Sequence, residues 1–288
     1  MAQPRSVPVL VALRGLAALS VCVFHFTNGN MAFLPDGDPL KRVGAFGWLG
    51  VEAFFVISGF VIPYSMYLRS YRLPNAGAFI VRRLKRLEPP YLASIVLLIG
   101  LHLLVSHLPG FRGAPFDFNW PQLFAHIGYL NALLDYGWYN PVFWTLAIEF
   151  QYYFFVALVC PLLTSRGLWV RASAVVAIAA LGLAGDGRDG LLFHWLPLFG
   201  LGMATFQYHA ELISRRVWML IVVPVSALAL AVIGPLPTTA GLMTAAAIGV
   251  AGAREMPRAL APMAMIGTIS YSLYLLHVPI GMRVINLA

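Results

Sequence analysis

The sequence predicts an all-α fold, a polytopic transmembrane helical bundle of about nine to ten membrane helices with a cytoplasmic N-terminus. Three observations predict it. The 288 residues are 60% apolar and only 10% charged, where a soluble domain is roughly a quarter charged. With a mean hydropathy of +0.80, the polar residues cannot cover a water-facing surface. The apolar residues come in long runs, unlike the short alternating strands of a membrane barrel. Finally, the Lys and Arg residues cluster between those runs. Despite a net charge of +8, that pattern marks cytoplasmic loops before it marks a nucleic-acid surface.

Nine apolar segments follow in order, each near the length a bilayer needs: roughly 7–27, 46–67, 89–107, 142–164, 170–185, 191–208, 217–234, 237–252 and 263–283. The first lacks a clear small-residue cleavage site and more runs follow, so it reads as a retained helix and not a signal peptide. The third begins at the pair Pro89-Pro90, after a basic loop. A shorter stretch, 121–135, has the length of a re-entrant or interfacial helix. Several later segments are short or interrupted by Gly and Pro, which predicts tilts and kinks. There is no internal repeat of the kind many transporters carry. Cys22 and Cys160 both fall inside apolar segments and read as packing residues.

Charge counting orients the bundle. With the N-terminus inside, the cytoplasmic positives are Arg5; Arg69, Arg72, Arg82, Arg83, Lys85 and Arg86; Arg166 and Arg171; Arg215 and Arg216; Arg254 and Arg258. Lys41, Arg42, Arg112, Arg188 and Arg283 fall outside, and Arg14 lies within a helix. The excess on one side supports this orientation. It places 28–45 and 108–141 outside, with Asp36, Asp38 and Asp117. The chain stops at INLA, just after a helix, so a tenth helix is expected to be missing.

Some residues do not suit hydrocarbon. In RGLAALSVCVFHF, Arg14 and His25 are eleven apart, so they share one helix face within about 20° and lie roughly 16 Å apart along the axis. Both therefore point at the same neighbour. Ionisable residues inside a span usually face a cavity or a partner. Snorkelling and interfacial capping are the alternatives, and Arg14 is too deep for the first. In GWLGVEAFFVISGFVI, Glu52 is expected near the outer end, at about the depth of His25, or else in interfacial water. Ser58 and Gly59 permit close helix approach. In RSYRLPNAGAFIVRRLKRLEPPYL, Arg82, Arg83, Lys85 and Arg86 crowd ahead of the prolines. They read either as topology and lipid-headgroup contacts or as a polyphosphate patch. In FWTLAIEFQYYFF, Glu149 lies two turns into an apolar helix, where a carboxylate is protonated, paired or functional. A histidine from another helix is its natural partner. In IGTISYSLYLLHVPI, Ser270, Tyr271, Ser272 and Tyr274 suit interhelical hydrogen bonds. His277 lies deeper than an interface residue should, and its role is open. His102, His107, His126, His194 and His209 form no close ligand pair, so no metal site is expected.

Together these stretches resemble the integral-membrane acyltransferase-3 family. Arg14 with His25 resembles its R-x10-H motif. GVEAFFVISGFVI is similar to its second-helix signature, with Glu52 at the acidic position. RRLKRLEPPYL resembles its basic loop, departing at Leu87-Glu88. FWTLAIEFQYYFF resembles its W-[ST]-L-x-x-E element, and SYSLYLLHVPI its ninth-helix motif. The matches run in order over nearly the whole chain, so 1–288 is expected to be one integral-membrane acyltransferase domain, lacking the last of the family's usual ten helices. The resemblance implies a multi-pass protein of the cytoplasmic (inner) membrane. It would move an acyl group, commonly acetyl, from cytoplasmic acyl-CoA to a hydroxyl of a carbohydrate, cell-envelope glycan or secondary metabolite. Acyl-CoA would be a co-substrate, with no permanent cofactor.

On that resemblance, His25 is expected to take the hydroxyl proton. Glu149 or Glu52 would orient the imidazole, as the acid does in a catalytic triad. Arg14 would stabilise the pantetheine end, a phosphate or the oxyanion. Arg82, Arg83 and Arg86, with Lys85, would hold the nucleotide phosphates. Ser58, Ser270, Tyr271 and His277 are lining candidates. The competing class is a transporter or flippase for a saccharide or anionic substrate, with Arg14, Glu149 and His25 as a proton relay. A third is a non-catalytic membrane scaffold.

Overall fold

The structure, a computed structural model, describes residues 7–29, 34–106, 118–188, 190–251 and 256–284. Every regular element among the described residues is helical. In chain order the α-helices are α1 Val9–Asn28, α2 Pro39–Gly44, α3 Gly50–Leu68, α4 Ala76–Ser106, α5 Trp120–Ile127, α6 Asn131–Leu134, α7 Phe143–Leu163, α8 Leu168–Ala180, α9 Leu196–His209, α10 Arg215–Ile233, α11 Pro235–Ala251, α12 Ala261–Thr268 and α13 Ser270–Leu276. Helix α13 runs on as a π-helical turn, His277–Met282. Arg5, His107, Arg112, Asp117 and Arg254 lie outside the described residues.

Each apolar segment drawn from the sequence contains a helix, but fewer of these are long enough to cross a membrane alone. Among the described residues five are: Val9–Asn28, Pro39–Leu68, Leu73–Ser106, Phe143–Leu163 and Arg215–Ile233. The pair Arg258–Thr268 and Ser270–Met282, bent by 57°, makes a sixth if counted as one broken span. Leu168–Ala184 and Pro235–Ala251 are apolar but shorter. Helix α9 is shorter still and buried almost throughout, as a mostly apolar helix inside a core is, with its buried Thr205 and Gln207 hydrogen-bonded to backbone carbonyls.

The basic stretch before Pro89 is a correction. It is not a loop: α4 is a single helix of 31 residues that starts at Ala76 and passes through both prolines. Its first turns present the arginines at helical spacing, so neighbours in sequence face different ways.

Backbone contact between small residues sets the main crossings. A Cβ on Gly59 of α3 would lie 2.3 Å from the Phe199 carbonyl oxygen of α9, and one on Gly202 would lie 2.2 Å from that of Val56. Gly15 of α1 and Gly267 of α12 abut the backbone of Met263 and Val11 in the same way. This is the small-residue packing that brings helices together where lipid supplies no hydrophobic drive.

Interior prolines leave carbonyls without a backbone donor. Pro161 orphans the carbonyl of Ala157, which accepts the Tyr71 hydroxyl at 2.8 Å. Pro279 cannot serve Leu275, whose carbonyl accepts Asn140 Nδ2 at 3.1 Å. Such replacement donors are what a span needs when water is absent. Cys22 and Cys160 are buried in α1 and α7 and carry free thiols.

Candidate active site

The site is built on the seam between α1 and the last helix. Arg14 donates from Nη2 to Ser270 Oγ at 3.1 Å, and Ser270 in turn donates to the Gly267 carbonyl. Further along, His25 Nδ1 lies 3.1 Å from His277 Nε2. The residue numbers rise together on both helices, so the two run parallel. The eleven-residue spacing thus does aim both side chains at one neighbour. The two contacts are about 16 Å apart along α1.

At the Arg14 end the helices enclose a cavity of about 120 Å³. Arg14, Arg83 and Arg86 line it, opposed by the Glu149 carboxylate. Ser58, Thr145, Tyr153, Ser270, Tyr271 and Tyr274 bring hydroxyls; Phe54, Phe55, Ile57, Leu146 and Phe199 form apolar walls. Glu149 accepts the Tyr153 hydroxyl at 2.6 Å. Arg83 donates to Ser65 Oγ at 2.7 Å and lies over the rings of Phe79 and Tyr153 at 5.5 and 5.8 Å. Tyr271 donates to the Leu87 carbonyl at 2.8 Å, and Tyr274 meets Thr145 at 3.0 Å. Among the described residues, no carboxylate lies within ion-pair distance of these arginines. Three guanidinium groups facing one carboxylate in a partly apolar chamber suit an anionic ligand.

Comparison with known proteins bears on this geometry. An acyltransferase-domain family profile, acyltransferase 3, matches residues 10–286. The chain belongs to the acyltransferase-3 family. Similar proteins carry consistent names. One is a provisionally named acetyltransferase of Acidianus two-tailed virus, 29% identical over 73% of this chain and 60% of its own length. Another is a provisionally named O-acetyltransferase of Staphylococcus aureus strain COL, 27% identical over 74% of this chain and 32% of its own. A third is the O-acetyltransferase OatA of Staphylococcus aureus strain NCTC 8325, 30% identical over 64% of this chain and 30% of its own. The matched stretch therefore covers between 30% and 60% of these relatives' length, under two thirds in each. No solved structure is significantly similar to it.

Within this acyltransferase-3 chain the expected site residues divide into two groups. Arg14, Arg83, Arg86, Glu149, Ser58, Ser270 and Tyr271 come together around the cavity. His25 and His277 form the second group. Arg82 and Lys85 join neither: they do not line the cavity, whereas half-buried Arg83 and Arg86, itself exposed, do.

Two expected pairings do not form. The partner of His25 is a histidine and not Glu149, whose carboxylate is engaged by Tyr153. Glu52 is not at the depth of His25 either. Gly47 lies against Ser20 and Phe24, and Gly50 against Ala17 and Val21, so α1 and α3 run antiparallel. That register sets Glu52 beside the middle of α1. It is only 1% exposed, and its Oε2 has no hydrogen-bond partner. Arg14, in turn, is too far from His25 to share one reacting carbonyl with it. The sequence reading gave no role to Tyr153, Thr145, Ser65 or Asn140. Asn140 precedes Pro141 just ahead of α7 and accepts the Val142 N–H, a local signal that says nothing of its second bond to Leu275.

Proposed function

We propose that the protein is a membrane O-acyltransferase that moves an acyl group, acetyl foremost, from cytoplasmic acyl-CoA to a hydroxyl of a carbohydrate, a cell-envelope glycan or a secondary metabolite. The observation that carries this is the anion-fitted cavity of Arg14, Arg83 and Arg86, joined along α1 to a histidine pair, in a chain that matches the family over residues 10–286.

Coenzyme A is a polyanion at its nucleotide end and a slender thiol-bearing arm at the other. Arg83 and Arg86 would hold its phosphates, with Arg14 at the start of the arm. The arm would run along the α1 seam, carrying the thioester toward His25. The acceptor hydroxyl loses its proton to His25 as its oxygen attacks the thioester carbonyl carbon. The C–S bond breaks, the imidazolium returns the proton to the departing sulfur, and an ester and free coenzyme A result. Positive-inside counting puts the basic end in the cytoplasm of a cell whose inner membrane holds the protein, and His25 toward the other face. The nine segments then act as nine crossings, with the short and bent helices completing the bundle.

The test uses purified protein in nanodiscs with labelled acetyl-CoA. His25→Gln is expected to lower kcat by about 10²–10⁴, the usual worth of a general base. Arg83→Ala is expected to raise the donor KM about tenfold, as loss of a charge-assisted bond would, while Arg82→Ala stays within about twofold. Equal effects at Arg82 and Arg83 would remove the cavity as donor site.

A further inference from the structure

His25 and His277 form a hydrogen-bonded pair whose protonation pattern is fixed by its surroundings. The Nδ1 of His277 lies 2.8 Å from the Tyr274 carbonyl and 3.2 Å from that of Leu273. Carbonyl oxygens only accept, so this nitrogen carries a hydrogen. In the neutral ring Nε2 is then bare and can only accept. It faces His25 Nδ1 at 3.1 Å, and the Val21 carbonyl faces the same His25 nitrogen at 3.0 Å. Two acceptors on one nitrogen require a hydrogen there as well. The Nε2 of His25 is left unprotonated, with its lone pair turned away from both.

From this we infer that His277 is a positioning residue: through its Nε2 it holds His25 in the tautomer whose Nε2 is the base, and it takes a charge-assisted bond from His25 once that ring is protonated. The inference rests on the proposed role of His25. His277 does here what a carboxylate does in a triad, and it explains why neither Glu149 nor Glu52 is against the imidazole. The arrangement stops at His277. Its Nδ1–H ends on backbone carbonyls, so the pair orients a base without passing the proton on.

The local fold serves this arrangement. His277 opens the π-helical turn His277–Met282, and π turns in helices often mark functional positions. Pro279 sits inside the turn, and Asn140 supplies the donor that Leu275 loses to it. Asn140 is completely buried, and its Oδ1 accepts the backbone N–H of Val142, the residue just before α7. It ties the histidine turn to the helix that carries Glu149. The ring of Phe26 packs edge-on against His277 and that of Phe24 against His25, closing the pair from the sides.

The experiment compares His277→Leu and His277→Gln with wild type, all in nanodiscs and matched for thermal stability. His277→Leu removes the acceptor; the expected fall in kcat is about 100-fold, with donor and acceptor KM within about threefold of wild type. His277→Gln returns an oxygen acceptor, and kcat is expected within about tenfold of wild type. In ¹⁵N spectra of the histidine rings, with His25 assigned by loss of its signals in His25→Gln, wild type shows His25 protonated at Nδ1 and bare at Nε2 near neutral pH. In His277→Leu the proton shifts toward Nε2. The wild-type spectrum decides the matter even where the leucine variant does not fold: a His25 protonated at Nε2 would overturn the inference. So would a folded His277→Leu with normal kcat. If His25→Gln itself keeps full activity, the proposed role of His25 as the base fails first, and the inference with it. If His25→Gln is inactive and His277→Leu is normal, only the role of His277 falls.

Discussion

At the scale of residues, the account separates chemistry from donor binding by place. Glu149 lies in the arginine cavity and not against His25, so Glu149→Gln is expected to change the donor KM several-fold and leave kcat within about threefold. His25→Gln should show the opposite split. Steady-state kinetics on the two variants checks this, and a collapse of kcat in Glu149→Gln would return the carboxylate to the histidine. Much of the site was legible in the sequence because it is written on single helices. Arg14 and His25 share a face by arithmetic alone, but the same arithmetic sets Arg86 about 40° from Arg82 and about 60° from Arg83, so it does not say which of the α4 cations line the cavity. That no acid stands against His25 was not legible. It depends on the register between α1 and α3, which glycine contacts at Gly47 and Gly50 set, and no periodicity within one helix encodes that.

At the scale of elements, close helix approach is the feature most exposed to test. A Cβ at Gly59 would lie 2.3 Å from the Phe199 carbonyl oxygen, whereas one at Gly77 meets nothing within 4 Å. Gly59→Ala is therefore expected to lower the melting temperature in detergent by several degrees, in keeping with an overpacking cost of about 1–3 kcal/mol, and Gly77→Ala to leave it unchanged. Outside the spanning helices, α5 and α6 are held by His126. This ring stacks on Tyr139 with centroids 4.1 Å apart. Its Nδ1 donates to the Gln122 carbonyl and its Nε2 accepts the Tyr139 backbone N–H. Burial holds His126 below the ordinary histidine range, against a smaller opposing effect of the Gln122 carbonyl. A base depressed in the folded state stabilises it fully above its unfolded value, about 6.5, and loses that contribution as pH falls through the folded value. Amide protection factors over residues 118–141, which allow for the slowing of intrinsic exchange at lower pH, are expected to fall on acidification below pH 6.5 in wild type and to lose that pH dependence in His126→Gln. The helices themselves were legible as apolar runs. The start of α4 was not, because its first turns carry the charges that normally signal a loop.

At the scale of the whole molecule, the chain is a multi-pass membrane protein of the acyltransferase-3 family, with five long apolar helices among the described residues, or six if the bent pair counts as one span. Composition made the membrane class plain, while span number stayed beyond it, since short helices such as α9 match the long ones in apolarity but not in length. Orientation carries its own expectation. With Cys22 and Cys160 replaced by alanine, an impermeant thiol reagent should label Asp36→Cys in intact cells and Arg82→Cys only after lysis; the reverse pattern would invert the bundle and place the arginine cavity away from cytoplasmic coenzyme A. The measurement that bears most directly on the central claim is transfer of label from radiolabelled acetyl-CoA into cell-envelope glycans by membranes holding wild type or His25→Ala at matched expression. The account predicts ester-linked label with wild type and none above background with His25→Ala. Equal labelling by the two would contradict it.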